Sequence, residues 1–381
     1  MSVLSIPPSP ARAVPPRSSE QGRRSSGCPT HTPLPTSRST AESTPTPTPT
    51  TPPHSTTSAR SSATPNSPPP PEGCAQLLGW LTGFGPVNAA GVEGTGSYGK
   101  QLATLLRHNN ITVREVSRPN RRTRRSHGKS DVLDAINAAR TALSGNSTAT
   151  PKTASGPVES IRALRIVRGG AVKARTAALN ELSNLITTAP AALREALRDK
   201  QRKALLTACA ALNPDLTQLA DPTHGTMLAL RAIAERIITL NQQINQLDKH
   251  LDHLVAATAP TLVDLLGIGT DVAGQLLVTA GDNPERLHSE ASFAKLCGVA
   301  PLPASSGRTD RHRLNKGGER QANRALHIVA VVRLRYCPRT QAYLQRRTEQ
   351  GLTKRDIIRC LKRYILREAH TAIMKDLTLA A

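Results

Sequence analysis

The sequence predicts an α/β layer followed by a mostly α region, with a coiled coil and a helix–hairpin–helix-like C-terminal domain. Three observations predict it. Short apolar runs alternate with helical patterns between residues 73 and 150. From about Val158 to Ala257 the pattern is helical almost throughout. Within that stretch, aliphatic residues recur at spacings of three and four from Leu230 to Leu254. Strand–helix alternation builds a layered unit, and a sustained spacing of three and four builds an a/d seam.

Residues 1–72 come first and hold 18 of the chain's 30 prolines, with Ser and Thr filling much of the rest. Such a block buries too little apolar surface to offset chain entropy and is expected to be disordered. A mucin-like stalk has a similar composition. Order is expected from Gly73. Leu77–Leu81 reads as a helix end, and Val87–Val92 as a strand closing at Glu93. Gly94, Gly96 and Gly99 punctuate the turn after it. Gln101–His108 reads as a helix, Thr112–Val116 as a strand and Asp131–Leu143 as a second helix, which completes the layer over 73–150.

A helical connector is expected over 151–229 and the coiled coil over 230–257. Its seam is Leu230, Ile233, Ile237, Leu240, Ile244, Leu247, Leu251 and Leu254. The seam is narrow and its flanks are polar, which predicts a homo-oligomer. One long helix packing within its own subunit is the alternative. A C-terminal domain follows over 258–381. Pro260–Ala280 reads as two short helices around Leu266-Gly267-Ile268-Gly269, whose turn can offer backbone N–H groups to a phosphate. A plain helical turn fits the same glycines.

The chain has 381 residues and a formal net charge of +23, enough length for two or more cored domains. So large a cationic excess favours a polyanionic partner, nucleic acid before an anionic membrane surface. No apolar run approaches the roughly 18 to 20 residues of a membrane helix. No secretory h-region is visible. Six scattered cysteines without a CxxC pair fit free thiols in a reduced cytoplasm. Aromatic residues at 2% argue against a fold that binds single strands by base stacking.

Three groups of residues could carry chemistry. Asp131 and Asp134 stand three apart, on one face of a helix, and Glu93 ends a strand beside a glycine turn. Carboxylates converging from a strand end and a helix can hold Mg²⁺ for phosphodiester chemistry. A solvated helix face is the bland alternative for the aspartates. Ser305-Ser306-Gly307 lies among Arg308, Arg311, His312, Arg313, Lys316, Arg320 and Arg324. A serine ringed by cations suits attack on a phosphate, because the cations stabilise the developing charge. A turn that only contacts phosphate has the same composition. The helix Lys354–His370 pairs an apolar face with Lys354, Arg355, Arg359, Lys362, Arg363 and Arg367, which suits a helix tracking a nucleic-acid backbone. Arg121, Arg122, Arg124 and Arg125 form a similar basic cluster, expected on a loop.

Several strings carry a family resemblance. They are G-V-E-G-T-G-S-Y-G at 91–99, R-P-N-R-R-T-R-R at 118–125 and G-K-S-D-V-L-D-A at 128–135, then P-L-P-A-S-S-G at 301–307, R-H-R-L-N-K-G-G-E-R-Q-A-N-R-A-L at 311–326, V-R-L-R-Y-C-P-R-T at 332–340 and T-K-R-D-I-I-R-C-L-K-R-Y at 353–364. From about Gln76 to the C-terminus the chain resembles the IS110 family of insertion-sequence transposases. The resemblance implies that the α/β layer is a partial RNase H or RuvC-like fold with a D-E-D-D carboxylate set binding Mg²⁺. It implies a C-terminal domain with a serine nucleophile that forms a covalent link to DNA. It also implies composite sites between subunits, double-stranded DNA and a guide or bridge RNA as partners, and a bacterial cytoplasm. Glu93, Asp131 and Asp134 match the second, third and fourth carboxylates. Ser306 matches the nucleophile, with Ser305 as the close alternative. Arg121, Arg122, Arg124, Arg125, Arg311, Arg313, Lys316, Arg320 and Arg324 are the expected DNA or RNA contacts. The first aspartate of the set has no counterpart, since Asp131 is the first Asp in the chain. A frameshift or misassigned start is the expected cause, with loss of the opening strands and of most activity. A non-catalytic nucleic-acid-binding remnant is the alternative.

Overall fold

The computed structural model describes residues 71–83, 85–116, 141–142, 144, 148–307 and 312–379. The chain divides into two compact units, Met1–Ala149 and Thr150–Ala381.

In the first unit, helix α1 spans Pro71–Thr82 and so takes in the last two residues of the Pro-rich block. Cys74, Leu77, Leu78 and Leu81 recur at three and four along it and turn one face inward. Strand β1 (Ala89–Glu93) is buried along its first four residues. It pairs in parallel with β2 (Thr112–Val116), Ala90 against Val113 and Val92 against Glu115. Helix α2 (Lys100–His108) connects them and buries Leu102, Ala103 and Leu106. Burial of β1 on both faces explains its unalternating run of small and apolar residues. Strand β3 (Thr148–Ala149) adds antiparallel to the end of β2. The sequence reading missed it, because two residues are too few to show a period. Among the described residues the sheet order is β1-β2-β3, which leaves β1 at an edge. The helix expected over Asp131–Leu143 lies outside the described residues, apart from helical Thr141 and Ala142.

The second unit is built on two long helices, α3 (Pro157–Thr188) and α6 (Pro222–Thr258). Both start with Pro at the first turn, where its missing N–H costs nothing. Asp221 caps α6 by accepting from Thr223 N–H at 2.7 Å. The helices run antiparallel, as their cross-links show. Arg168 pairs with Asp248, Arg175 donates to Asn241 at 3.1 Å, and Arg236 pairs with Glu181. Helices α4 (Ala191–Leu197) and α5 (Arg202–Ala210) close the far end over Leu182, Leu206, Leu230 and Ile237.

This pairing revises the reading of the seam. Leu230, Ile237, Ile244 and Leu251 are buried within their own chain, while Ile233, Leu240, Leu247 and Leu254 are half-buried. The heptad pattern therefore serves a helix pair inside the subunit, because α3 supplies the facing apolar surface. The helix that carries the seam begins at Pro222, within the stretch expected to be helical.

At the near end, Val158 and Ile161 of α3 and Leu251 and Val255 of α6 join one large core. Around it lie α7 (Pro260–Val263), α8 (Thr270–Ala280), α9 (Glu290–Leu296), α10 (Arg320–Tyr336), α11 (Pro338–Glu349) and α12 (Lys354–Leu379). The Leu266–Gly269 turn joins α7 to α8 with Gly267 at φ +82°. It packs on α10, where Arg333 donates to the Leu266 carbonyl at 2.7 Å. Strands β4 (Leu302–Pro303) and β5 (His312–Arg313) form a short antiparallel hairpin.

Candidate functional site

Glu93 is held by the turn that follows it. Gly94 takes φ +68°, a conformation open to glycine. Its carbonyl accepts from Ser97 N–H and Gly99 N–H, both at 2.9 Å. A Cβ at Gly99 would lie 2.6 Å from the Glu93 carbonyl oxygen and 3.0 Å from Val92 Cγ1. The glycine lets the turn fold back onto the strand end before α2 begins at Lys100. Glu93 is half-buried there. Glu115 pairs with Val92 rather than with Glu93, so the two carboxylates leave opposite faces of the sheet.

Asp131, Asp134, Arg121, Arg122, Arg124, Arg125 and Arg311 lie outside the described residues. Among the described residues no group of three or more His, Cys, Asp or Glu is placed to hold a metal ion. Glu93 is the one member of the predicted carboxylate set within them.

Ser305 and Ser306 sit on the connection between β4 and β5, and both are exposed. Gly307 follows at φ +52°. Arg313, Lys316, Arg320 and Arg324 are exposed as well. Arg320 and Arg324 stand four apart on α10 and share a face.

The foot of this hairpin is a crossing of two backbones. Gly318 packs so closely on Gly298 that a Cβ on Gly318 would lie 2.2 Å from Gly298 N and 2.3 Å from its Cα. Gly298 itself sits at φ +68°. Glu319 N–H donates to the Leu296 carbonyl at 2.8 Å. Asn315 Nδ2 donates to the Lys295 carbonyl at 3.2 Å. Asn323, in the first turns of α10, donates to the carbonyls of Cys297 and Gly298 at 3.1 and 2.9 Å. The sequence reading did not single out Asn323. An asparagine inside an amphipathic helix was a usable signal, since it is a poor helix former without a partner to bond.

Helix α12 faces this foot across a cleft of about 820 Å³. The basic helix expected at Lys354–His370 is part of α12, and four of its cations line a cleft shared with β5. Arg359, Lys362, Arg363 and Arg367 line one wall, and His312 and Arg313 of β5 line the other. Asp356 pairs with Arg359 at 2.9 Å, and Arg363 donates to Glu290 at 2.7 Å. Arg367 lies over the Tyr364 ring, 5.9 Å from its centroid. Lys362 is only 7% exposed and donates to Asn323 Oδ1 at 2.8 Å. Burial, then repulsion from Arg359, holds its ammonium below the ordinary lysine value.

Known proteins share these regions. A DEDD-type IS110 family model, described as a transposase, matches residues 54–189, which include Glu93, Asp131 and Asp134. A second model, described as the transposase IS116/IS110/IS902 family, matches residues 259–345, which include Ser306 and its arginines. An uncharacterised 43.6 kDa protein of insertion element IS110 from Streptomyces coelicolor is 30% identical over 137 residues. That stretch spans 35% of this chain and 33% of the relative's length.

Proposed function

The chain belongs to the IS110 family of transposases, and from that premise we propose that it cuts and rejoins DNA with Ser306 as nucleophile. The observation that carries this reading is an exposed serine on a short hairpin whose foot borders a cationic cleft. Ser306 Oγ attacks a backbone phosphorus, forming a serine–phosphate ester as the bond to the departing 3′ oxygen breaks. The serine proton leaves and a proton arrives at that oxygen, so the count of ester bonds is conserved. Rejoining by a new 3′ hydroxyl reverses the step. Arg311, Arg313, Lys316, Arg320 and Arg324 stabilise charge on the phosphate. Ser305 is the adjacent alternative nucleophile.

A DEDD-type domain works with divalent metal ions, and Glu93, Asp131 and Asp134 are assigned as ligands for Mg²⁺. Their oxygen donors suit that hard cation, which when bound would polarise a phosphoryl oxygen. Glu93 fits by its place at a strand end held by the Gly94–Gly99 turn. Double-stranded DNA, a structured guide RNA and further copies of the chain are the assigned partners. The cationic cluster Arg121, Arg122, Arg124 and Arg125 is assigned to backbone phosphates. No helix of the described residues is long and apolar enough to cross a membrane.

One observation favours a second reading. With no Asp before Asp131, the carboxylate set has three members, and a chain that binds DNA without cutting it is the alternative. A nicked duplex that traps the ester separates the two. The wild-type chain should give a denaturant-resistant protein–DNA adduct that vanishes in Ser306→Ala and persists in Ser305→Ala. Salt-sensitive DNA binding with no adduct from the wild type would establish the binding remnant instead.

A further inference from the structure

We infer that the cleft between the serine hairpin and α12 seats a backbone phosphate of duplex DNA, with Lys362 as its anchoring cation and Asn323 positioning that cation. The inference rests on the reading of this hairpin as the DNA-facing element.

The charges of the cleft are unequal. Arg359 and Arg363 are each matched by a carboxylate, Asp356 and Glu290. Lys362 faces the neutral amide oxygen of Asn323. An ammonium removed from water is costly unless an anion or a full set of acceptors replaces its hydration. One amide oxygen takes one of its three protons. The other two suit the non-bridging oxygens of a phosphodiester entering the cleft. The depressed proton affinity of Lys362 marks the same deficit from the solution side.

Asn323 fixes where the ammonium stands. Its Nδ2 donates to both the Cys297 and Gly298 carbonyls, so its Oδ1 must face α12. The same amide thus holds the hairpin foot on one side and Lys362 on the other. A phosphate gripped by Lys362 is held at a set distance from the hairpin that carries Ser306. Arg313 lines the opposite wall of the same cleft, and Lys316, Arg320 and Arg324 are exposed on the residues that follow β5.

Binding of the full chain to a labelled duplex of about thirty base pairs, followed by anisotropy across about 50 to 300 mM salt, tests this. Lys362→Met should weaken binding about fivefold to tenfold near 100 mM salt and lower the log–log salt slope by about 1. It should melt no lower than wild type, because an apolar chain replaces a buried charge. Asn323→Asp should likewise weaken binding, since its carboxylate neutralises the ammonium in place; it also forfeits the Nδ2 bonds to the Cys297 and Gly298 carbonyls and should melt below wild type. Lys249→Met, an exposed site on α6, controls for net charge and should lose less than twofold.

Equal binding by Lys362→Met and Lys249→Met would overturn the inference, as would unchanged affinity in Asn323→Asp. A loss seen for an RNA stem-loop or for anionic vesicles, with duplex binding intact, would overturn it too. Wild-type chain that fails to bind duplex DNA at all does the same. The trapped adduct keeps the two claims apart. Lys362→Met that binds normally while Ser306→Ala loses the adduct rejects the phosphate seat alone. Weakened binding with no wild-type adduct rejects the serine chemistry alone.

Discussion

Glu93 and Ser306 occupy opposite kinds of surroundings, yet each rests on a glycine pressed against backbone. Glu93 closes a strand whose first four residues are buried, and Gly99 folds the next turn onto its carbonyl. Ser306 stands exposed on a hairpin of two-residue strands, and Gly318 pins the foot of that hairpin to Gly298. The difference suits the two tasks proposed for them, metal binding by Glu93 and nucleophilic attack by Ser306. A metal-binding carboxylate must be held in one place before the ion arrives. A nucleophile that meets a bulky duplex must project from the surface, so its rigidity has to come from the base of the loop. Both sites obtain that rigidity by letting two backbones approach closer than any side chain permits.

The comparison breaks most readily at Gly318. Gly318→Ala places a Cβ on backbone atoms that cannot rotate away, so the second unit should lose about 3 kcal/mol or more. A urea titration reads this as a lower midpoint, and a shift below about 0.5 kcal/mol would show that the crossing is loose. Gly99→Ala should cost less, about 2 kcal/mol, because one of its close neighbours is the movable Val92 side chain. Hydrogen exchange should then speed up over residues 89–116. Unchanged protection there would remove the claim that Gly99 braces Glu93.

Thiol labelling sharpens the same contrast. Cys74 lies in the core behind β1, and Cys297 lies under the hairpin foot, both buried with thiols pushed above their ordinary value by burial. Cys337 is half-buried, and hydrogen bonds from the Thr340 hydroxyl and N–H pull its thiol down. Cys337 should alkylate ahead of both. In Gly318→Ala the Cys297 rate should rise while the Cys74 rate stays put. Equal acceleration at both would mean that the crossing stabilises more than the hairpin foot.

The smallest effect is a pH dependence. Lys362 binds its proton more weakly folded than unfolded, so the unfolded chain holds the extra proton in the interval below the ordinary lysine value. Stability should therefore rise with pH through that alkaline interval, and Lys362→Met should flatten the rise. A steeper dependence in the variant would contradict the desolvation of Lys362.

Much of the architecture was legible from local pattern. Thr112–Val116 is a strand over the predicted residues, and the Gln101–His108 helix differs by one residue, because alternation and amphipathic spacing are written within each segment. The exposed serine loop and the C-terminal basic helix were legible for the same reason. What escaped was pairwise. β3 exists only because β2 offers it an edge. The partner of the Leu230–Leu254 seam was ambiguous, because a heptad states that a face is apolar and not which helix covers it. Asn323 looked like an ordinary polar residue until the Gly298 turn and Lys362 were set on either side of it.

By itself the sequence determined the strands β1 and β2, the longer helices, the cationic excess and the family strings around Glu93 and Ser306. These depend on residue identity and short-range spacing. Only the tertiary structure decided that Leu230, Ile237, Ile244 and Leu251 are buried within their own chain, on a helix paired with α3. It alone decided that α12 and β5 enclose one cleft with Lys362 at the hairpin foot. Those outcomes turn on contacts between segments some forty to eighty residues apart, where the gain is shared by both partners and neither encodes it alone.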